Sequence, residues 1–278
     1  MGAQDVKGIR ILDAKKLDFP KINGLKFTGI SDLAYDGKRG LYAVSDKGYL
    51  FELDFSIRDN KIHTLVLKDS FWLKNKKGEP LSKKKRDAEG IDFSKGSLVI
   101  SFERKPKVSL FDVEGVKIKN FEIAQALEDI KNYQGKNSAL ESVAMHPYFG
   151  VITAPQRPLR HTDERIHTLF SLNQRWHFKA DADITAIQTM SDGNLLVLER
   201  EFRLFGLGHT IWLKKVPIMQ CQESSCPAKT LARLNSSDGW KLDNFEGLTR
   251  ISEDRYLMIS DDNDSFLQKC IIVLFEVK

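Results

Sequence analysis

Five copies of one short pattern run along the chain, and this repetition constrains the fold more than any other feature. Each copy has an apolar strand, a turn rich in Asp, Gly or Asn, and a second strand of β-branched and aromatic residues. The copies start near residues 31, 87, 140, 184 and 244, and their equivalent positions are Asp32, Glu89, Glu141, Thr185 and Glu246. Spacings of 57, 52, 44 and 61 residues suit a four-stranded propeller blade with a variable loop.

We therefore predict an all-β chain, residues 1–278, folded as a single β-propeller domain with six blades of four antiparallel strands. Five or seven blades remain as alternatives. The sixth blade would be closed by pairing the N-terminal GIRILDAKKLDF with the C-terminal CIIVLFEV, which hides edge strands. The segment IAQALEDIKNY at 123–133 has apolar residues at helical spacing and predicts a short helical insertion between blades.

The net charge of +5 comes from one run, KNKKGEPLSKKKR at 74–86, which has seven basic residues and one acidic residue. Because the run contains Gly and Pro, it favours a solvated loop, with an anionic partner or a membrane surface as the alternative. It has no aromatic residues on which bases could stack, so we rank nucleic acid last among the partners. No stretch is apolar over the length that a membrane-spanning helix needs.

The cysteine pair Cys221 and Cys226 brackets four residues, and this spacing favours a small disulfide loop over a metal site. Two free thiols are the alternative. A disulfide indicates an oxidising compartment, and the opening MGAQDVKG is typical of a chain whose leader has been removed. We expect a periplasmic or secreted protein, with the cytoplasm as the alternative.

Two phrases nearly repeat each other, DAEGIDF at 87–93 and NFEGLT at 244–249, and each precedes an apolar run that ends near an acid. In an antiparallel hairpin the first strand starts at the end where the second strand finishes. If the first strand is innermost in its blade, these acids face one mouth of the central channel. The converging set would be Asp32, Asp46, Glu89, Glu141, Glu246, Asp261 and Asn263.

Crowded carboxylates repel one another unless they are protonated or neutralised by a cation. Carboxylate and amide oxygens suit Ca²⁺ best, with Mg²⁺ or Mn²⁺ as alternatives. The alternative role for such acids is to cap strand ends by accepting hydrogen bonds from backbone N–H groups. The predicted metal ligands are Asp46, Glu89, Glu141, Glu246, Asp261 and Asn263.

Two arginines accompany these acids, Arg200 in LLVLEREF and Arg104 in SFERKP. A guanidinium group can hold a phosphate or carboxylate through paired hydrogen bonds, and a salt bridge to a neighbouring Glu is the alternative. His146 in MHPYFG is the histidine nearest a predicted mouth, although its His-Pro sequence favours a turn.

The Glu-Gly phrases, LLVLER at 195–200 and NFEGLTRI with LMISDDN at 257–263 resemble the phytase-like esterase family, the "esterase-like activity of phytase" domain. The resemblance runs from about Ile30 to the C-terminus. It implies an exported β-propeller with hydrolase activity. More distantly, the Glu-Gly pattern is similar to that of propellers with calcium at the channel mouth. It implies an acidic ring of Glu89, Glu141 and Glu246, a contribution from Asp261 and Asn263, and substrate contact by Arg200. Thr185 departs from the acidic pattern.

Motifs of serine, zinc and nucleotide enzymes are absent from the sequence, which leaves metal-assisted ester hydrolysis as the catalytic hypothesis. Glu89 or Glu246 would accept the proton, while Arg104, Arg200 and Lys47 would bind a small anionic phosphate or carboxylate ester. The alternative is a non-catalytic propeller that binds a ligand or protein and holds a structural cation. We expect a monomer.

Overall fold

A computed structural model describes residues 4–135, 138–202, 208–221, 225–238, 240, 244–261 and 270–278. These residues form 21 β-strands in five antiparallel sheets, each of which is one blade of a propeller. The all-β propeller prediction is confirmed. None of the helices in this described part is long and apolar enough to cross a membrane.

The strands are numbered in chain order. The chain begins with β1 (Gln4–Val6) and β2 (Ile9–Lys16). Blade 1 has β3 (Ile30–Tyr35), β4 (Gly40–Ser45), β5 (Tyr49–Arg58) and β6 (Lys61–Trp72). Blade 2 has β7 (Ala88–Ser94), β8 (Ser97–Phe102), β9 (Lys107–Phe111) and β10 (Lys117–Phe121). Blade 3 has β11 (Leu140–His146), β12 (Gly150–Pro155), β13 (Ile166–Phe170) and β14 (Arg175–Lys179). Blade 4 has β15 (Asp183–Thr189), β16 (Leu195–Phe202), β17 (His209–Val216) and β18 (Lys229–Asn235). Blade 5 has β19 (Asn244–Arg250), β20 (Arg255–Asp261) and β21 (Ile271–Val277).

Blade 5 is completed by the N-terminal strands, so the prediction of six blades is wrong and the described chain has five. The expected pairing of the two chain ends does form, with Ile9 opposite Val277 and Lys16 opposite Ile271. However, β21 also pairs with β20, which places the N-terminal strands β2 and β1 outermost in that same sheet. The terminal pair therefore finishes the fifth blade and does not build a sixth.

The predicted helical insertion at 123–133 is also wrong. The segment forms two single turns of 3₁₀-helix, Gln125–Leu127 and Ile130–Asn132, and Asp129 between them has extended backbone angles. The apolar spacing still has a structural role, because Leu127 is buried in a cluster with Tyr133. A helix of this length is marginal without strong packing, and here packing favours the two short turns.

The five innermost strands, β3, β7, β11, β15 and β19, surround the propeller axis, and the ring closes where β19 contacts β3. Each of them has one extra residue relative to its partner strand, which is a β-bulge at the same place in every blade. The residues at the five bulges are Ser31, Glu89, Glu141, Thr185 and Glu246.

The positions of the bulges show that the sequence alignment of the first repeat is wrong by one residue. Ser31, and not Asp32, is equivalent to Glu89. Asp32 is fully buried and accepts hydrogen bonds from the backbone N–H groups of Leu33, Ile91 and Leu248, in three neighbouring innermost strands. Burial raises its pKa well above the ordinary value, against these hydrogen bonds. For Asp32 the capping alternative is therefore the correct one.

Each Glu-Gly phrase needs glycine because the backbones pack closely at the propeller axis. A Cβ atom on Gly90 would lie 2.6 Å from Ser101 Oγ and 2.7 Å from the backbone N of Val143. A Cβ atom on Gly247 would lie 2.8 Å from the Cα of Asp32. These distances are shorter than van der Waals contact, so the backbone of the next blade excludes a side chain.

Two other predicted features are placed outside the axis. Cys221 and Cys226 form the expected disulfide, with their Cα atoms 5.3 Å apart. The basic run 74–86 connects blades 1 and 2, and the lysines in its second half are exposed. These observations agree with the solvated-loop interpretation of that run.

We predict that Gly90→Ala lowers the free energy of unfolding by about 1–3 kcal/mol, because the added methyl group clashes with the neighbouring innermost strand. Ser142→Ala is the matched control, since Ser142 is the equivalent residue of blade 3 and its buried Oγ has no hydrogen-bond partner. The control should be neutral or stabilising. Chemical denaturation measures both, and equal stability of Gly90→Ala and wild type would contradict the steric explanation.

Candidate functional site

Two residues from each blade converge on one mouth of the channel. The first is the bulge residue of the innermost strand. The second lies at or just beyond the end of the next strand, one position after the residue that pairs with the residue before the bulge. Its backbone N–H often donates to the backbone carbonyl of the residue before the innermost strand, as Glu103 donates to Asp87. This second set consists of Asp46, Glu103, Gln156, Arg200 and Asp261.

All of these residues except Thr185 line a cavity of about 240 Å³, which we call the carboxylate cavity. Its seven carboxyl groups face two guanidinium groups, which is a formal charge of −5 if every group is ionised. Carboxylates at this density disfavour one another's ionised form. The lining residues are Ser31, Asp46, Asp87, Glu89, Glu103, Arg104, Glu141, Gln156, Arg200, Glu246 and Asp261.

The tightest group in this cavity is Asp87, Glu89 and Glu103, whose carboxylate oxygens lie within 4.8 Å of one another. Burial and then the charge of Glu141 raise the pKa of Glu89 well above its ordinary value. Burial and the charge of Asp87 raise the pKa of Glu103 to about 7. A donor set made only of oxygens, whose pKa values are raised by burial and then by neighbouring negative charges, fits a hard divalent cation.

Glu141 and Glu246 lie on the neighbouring side of the same cavity. Glu141 Oε1 accepts a hydrogen bond of 3.2 Å from Gln156, and burial raises its pKa well above the ordinary value. Glu246 Oε1 lies 2.6 Å from the Arg200 guanidinium and 2.5 Å from the Asn244 amide nitrogen. Burial raises the pKa of Glu246, and Arg200 opposes that rise.

Each arginine of the cavity already has one carboxylate partner. Arg104 Nε lies 2.7 Å from Asp87 Oδ2, and Arg200 also donates to the Asn244 side chain. The alternative prediction for these arginines, a salt bridge to a neighbouring acid, is therefore correct for both. Since a guanidinium has five N–H donors, each arginine can still bind a second anion.

A buried ion pair supports the strand that carries Arg200. Glu199 is fully buried, and its carboxylate lies 2.7 Å from the ammonium group of Lys214, which is 1% exposed. Lys214 also lies 2.8 Å from Asp181 and donates to the backbone carbonyl of Lys179 in blade 3. These contacts join blades 3 and 4 and fix the end of β16 at the mouth.

Most of the predicted site residues come together in the carboxylate cavity: Asp46, Glu89, Glu141, Glu246, Asp261, Arg104 and Arg200. Lys47 does not line it, although its charge opposes the burial that raises the pKa of Asp46. Asn263 lies outside the described residues. His146 is at the opposite mouth, where its ring accepts from the backbone N–H groups of Tyr148 and Phe149, so its turn interpretation is correct.

Sequence reasoning missed four residues of this cavity, Ser31, Asp87, Glu103 and Gln156. It selected Arg104 from SFERKP, whereas the register makes the preceding residue, Glu103, the equivalent of Asp46. Counting from the start of each hairpin, with one extra residue allowed for the bulge, would have found it. Asp87 stands in the quoted phrase DAEGIDF but was passed over in favour of its neighbour Glu89.

The family comparison agrees with this geometry. A family model described as "Esterase-like activity of phytase" matches residues 25–264. The chain belongs to this phytase-like family. The match includes every described residue of the carboxylate cavity, so the resemblance inferred from the Glu-Gly phrases is confirmed. None of the curated proteins compared with this phytase-like chain matches it.

Solved structures similar to this chain share little of its sequence. The PQQ-bound aldose sugar dehydrogenase of Streptomyces coelicolor is 10% identical, with a TM-score of 0.50, over 95% of this chain and 98% of its own. A luciferin-regenerating enzyme is 11% identical, with a TM-score of 0.44, over 90% and 92% of the two chains. The WD40 propeller domain of Doa1 is 9% identical, with a TM-score of 0.45, over 98% of each. The likeness of the phytase-like chain to the dehydrogenase is one of fold.

We predict that Glu141→Gln stabilises the chelator-treated protein at pH 8, by on the order of 2 kcal/mol, because it removes a buried acid and keeps the oxygen that accepts from Gln156. The folded-state pKa of Glu141 is raised. Glu141 therefore costs no folding stability below the pKa that it has in the unfolded chain, and the cost grows as the pH rises above that pKa.

Thermal unfolding at pH 4 and pH 8 checks this prediction. Glu253→Gln makes the same change at an exposed position and should alter stability by less than about 0.5 kcal/mol at either pH. A Glu141→Gln variant that is no more stable than wild type at pH 8 would contradict the electrostatic interpretation of the cavity.

Proposed function

We propose that this chain is a metal-assisted hydrolase that cleaves an anionic phosphate or carboxylate ester at the carboxylate cavity. The observation that carries the proposal is the cluster of Asp87, Glu89 and Glu103 in a cavity that also presents two arginines. Membership of the phytase-like family, described by its esterase-like activity, supports the same class of reaction.

Asp87, Glu89 and Glu103 would hold the cation. Their oxygen donors fit Ca²⁺, and Mg²⁺ and Mn²⁺ use the same donor type. A bound cation polarises an ester oxygen and makes a water molecule more acidic. It would also neutralise the charge that raises the pKa values of Glu89 and Glu103.

Glu246 is the residue best placed to accept a proton from water. Both of its hydrogen bonds, from Arg200 and Asn244, go to Oε1. Its Oε2 has no hydrogen-bond partner among the described residues, so it can take up the proton while Arg200 holds the carboxylate in place. Glu89, the other base predicted from the sequence, belongs to the cation set in this proposal.

Arg104 and Arg200 would bind the anionic group of the substrate. Both line the cavity, and each uses one edge of its guanidinium group for Asp87 or Glu246. The remaining N–H groups can donate paired hydrogen bonds to a phosphate or carboxylate. These cations also offset part of the negative potential that would otherwise repel an anionic substrate.

We further propose that the protein works outside the reducing cytosol, in the periplasm or after secretion. The disulfide between Cys221 and Cys226 supports this location, because such bonds persist in oxidising compartments.

The proposal predicts that calorimetric titration of chelator-stripped protein detects Ca²⁺ binding, and that Glu89→Gln and Glu103→Gln each weaken it at least about tenfold. Hydrolysis of p-nitrophenyl phosphate or of 4-acetoxybenzoate, both anionic esters, should disappear with chelation and return with the cation. Glu253→Gln is the control and should bind as wild type does. If Ca²⁺, Mg²⁺ and Mn²⁺ all fail to bind, the proposal is wrong. If Ca²⁺ raises Tm without any hydrolysis, the cation is structural and the chain is a binding propeller.

A second prediction separates proton transfer from cation binding. Glu246→Gln should lower kcat by about 10²–10⁴-fold, because the amide cannot accept the proton. The variant keeps an oxygen at Oε1, so Ca²⁺ affinity should stay within about threefold of wild type. Steady-state kinetics beside calorimetry measure the two effects, and unchanged kcat would exclude Glu246 as the base.

A further inference from the structure

A second cavity, of about 550 Å³, lies at the opposite mouth of the channel, where the innermost strands end. Its volume is in the range of small-ligand sites. It shares no residue with the carboxylate cavity. The innermost strands contribute Asp92, Phe93, Met145, Gln188, Thr189, Thr249 and Arg250 to its lining.

Part of the lining of this opposite-mouth cavity is apolar and adaptable. It contains the aromatic residues Tyr35, Phe93 and Tyr148 and the methionines Met145, Met190 and Met219. Tyr148 is 77% exposed and Met219 is 40% exposed, which is unusual for large apolar residues of this chain. Flexible thioether side chains beside aromatic rings suit the face of a planar apolar ligand.

The polar floor of the cavity is held in place by the backbone. Asp92 is buried and accepts hydrogen bonds of 2.8 Å from Phe93 N and 2.6 Å from Met145 N. Gln188 Oε1 accepts a hydrogen bond of 3.3 Å from Arg250 N. Because these polar groups already have hydrogen-bond partners, this part of the cavity is preformed. A charged ligand would therefore be recognised by another residue.

Arg250 is that residue. Its guanidinium has no hydrogen bond or ion pair with any described residue, and it lines both this cavity and an adjoining one of about 360 Å³. Its charge lowers the pKa of Asp92, while burial raises that pKa to about 6. The other acid of the cavity, Asp192, forms an ion pair with Lys215. Arg250 is therefore available for paired hydrogen bonds to an incoming anion.

We propose that the opposite-mouth cavity binds a small aromatic carboxylate, with its ring against the methionine and aromatic side chains of the lining and its carboxylate on Arg250. This site is separate from hydrolysis, because the two cavities lie at opposite ends of the innermost strands.

Methyl NMR with ¹³C-labelled methionine tests the proposal on the whole chain. The sequence has five methionines, of which Met145, Met190 and Met219 line the cavity, while Met258 is buried in the core. Titration with 2-naphthoate and with benzoate should shift the three cavity methyl signals and leave Met258 unchanged. Neutral 2-naphthylmethanol should bind at least about tenfold more weakly than 2-naphthoate.

Arg250→Met should weaken 2-naphthoate binding at least about tenfold, while Arg175→Met, an exposed control, should bind as wild type does. Tyr148→Ala, at an exposed position, provides a second variant that should weaken binding even if Arg250→Met does not fold. Glu89→Gln should not affect 2-naphthoate binding, so failure of this proposal is distinguishable from failure of the hydrolase proposal. The proposal is overturned if neither carboxylate shifts the cavity methyl signals, or if a folded Arg250→Met variant binds normally.

Discussion

One extra residue in each innermost strand is the constraint on which this structure depends. In all five blades the β-bulge falls near the start of the innermost strand, after its first or second paired residue. A bulge shifts the side-chain alternation locally, so residues such as Glu89 and Glu246 line the channel mouth. The glycine that follows lies where neighbouring backbones are too close for a Cβ atom. The repeated Glu-Gly phrase thus combines a functional position with a packing requirement.

This geometry concentrates negative charge where water is partly excluded. Glu89, Glu141 and Glu246 all have raised pKa values, with burial as the largest cause. Such a cavity destabilises the folded chain unless protons, arginines or a cation compensate. Arg104 and Arg200 each compensate one carboxylate, and the remaining excess favours a cation. Buried acids that cost stability in this way are typical of functional sites, which agrees with membership of the phytase-like family.

The two mouths of the propeller differ in chemistry because different parts of the hairpins reach them. The starts of the innermost strands and the ends of the next strands supply carboxylates to one mouth. The ends of the innermost strands and nearby turns supply methionines, aromatic residues and Arg250 to the other. Buried acids such as Asp32 and Asp92 lie between and join neighbouring innermost strands through backbone hydrogen bonds. Asp32 shows that an acid in the repeated frame can serve structure alone, and that its exact place relative to the bulge decides its role.

The sequence by itself determined the propeller fold, the start of each hairpin and the acidic character of one mouth, because strand periodicity and repeat spacing are local properties. It also identified the pairing of the chain ends and the disulfide. Only the tertiary structure decided the blade number, since whether β2 and β21 form a new sheet or extend β20 depends on which strand edge lies beside them. It also decided that Ser31, not Asp32, faces the cavity, and that Glu103 and Asp87 complete the cluster with Glu89. A one-residue bulge reverses which face a side chain takes, and hydrogen-bond register between strands is a property of the folded sheet.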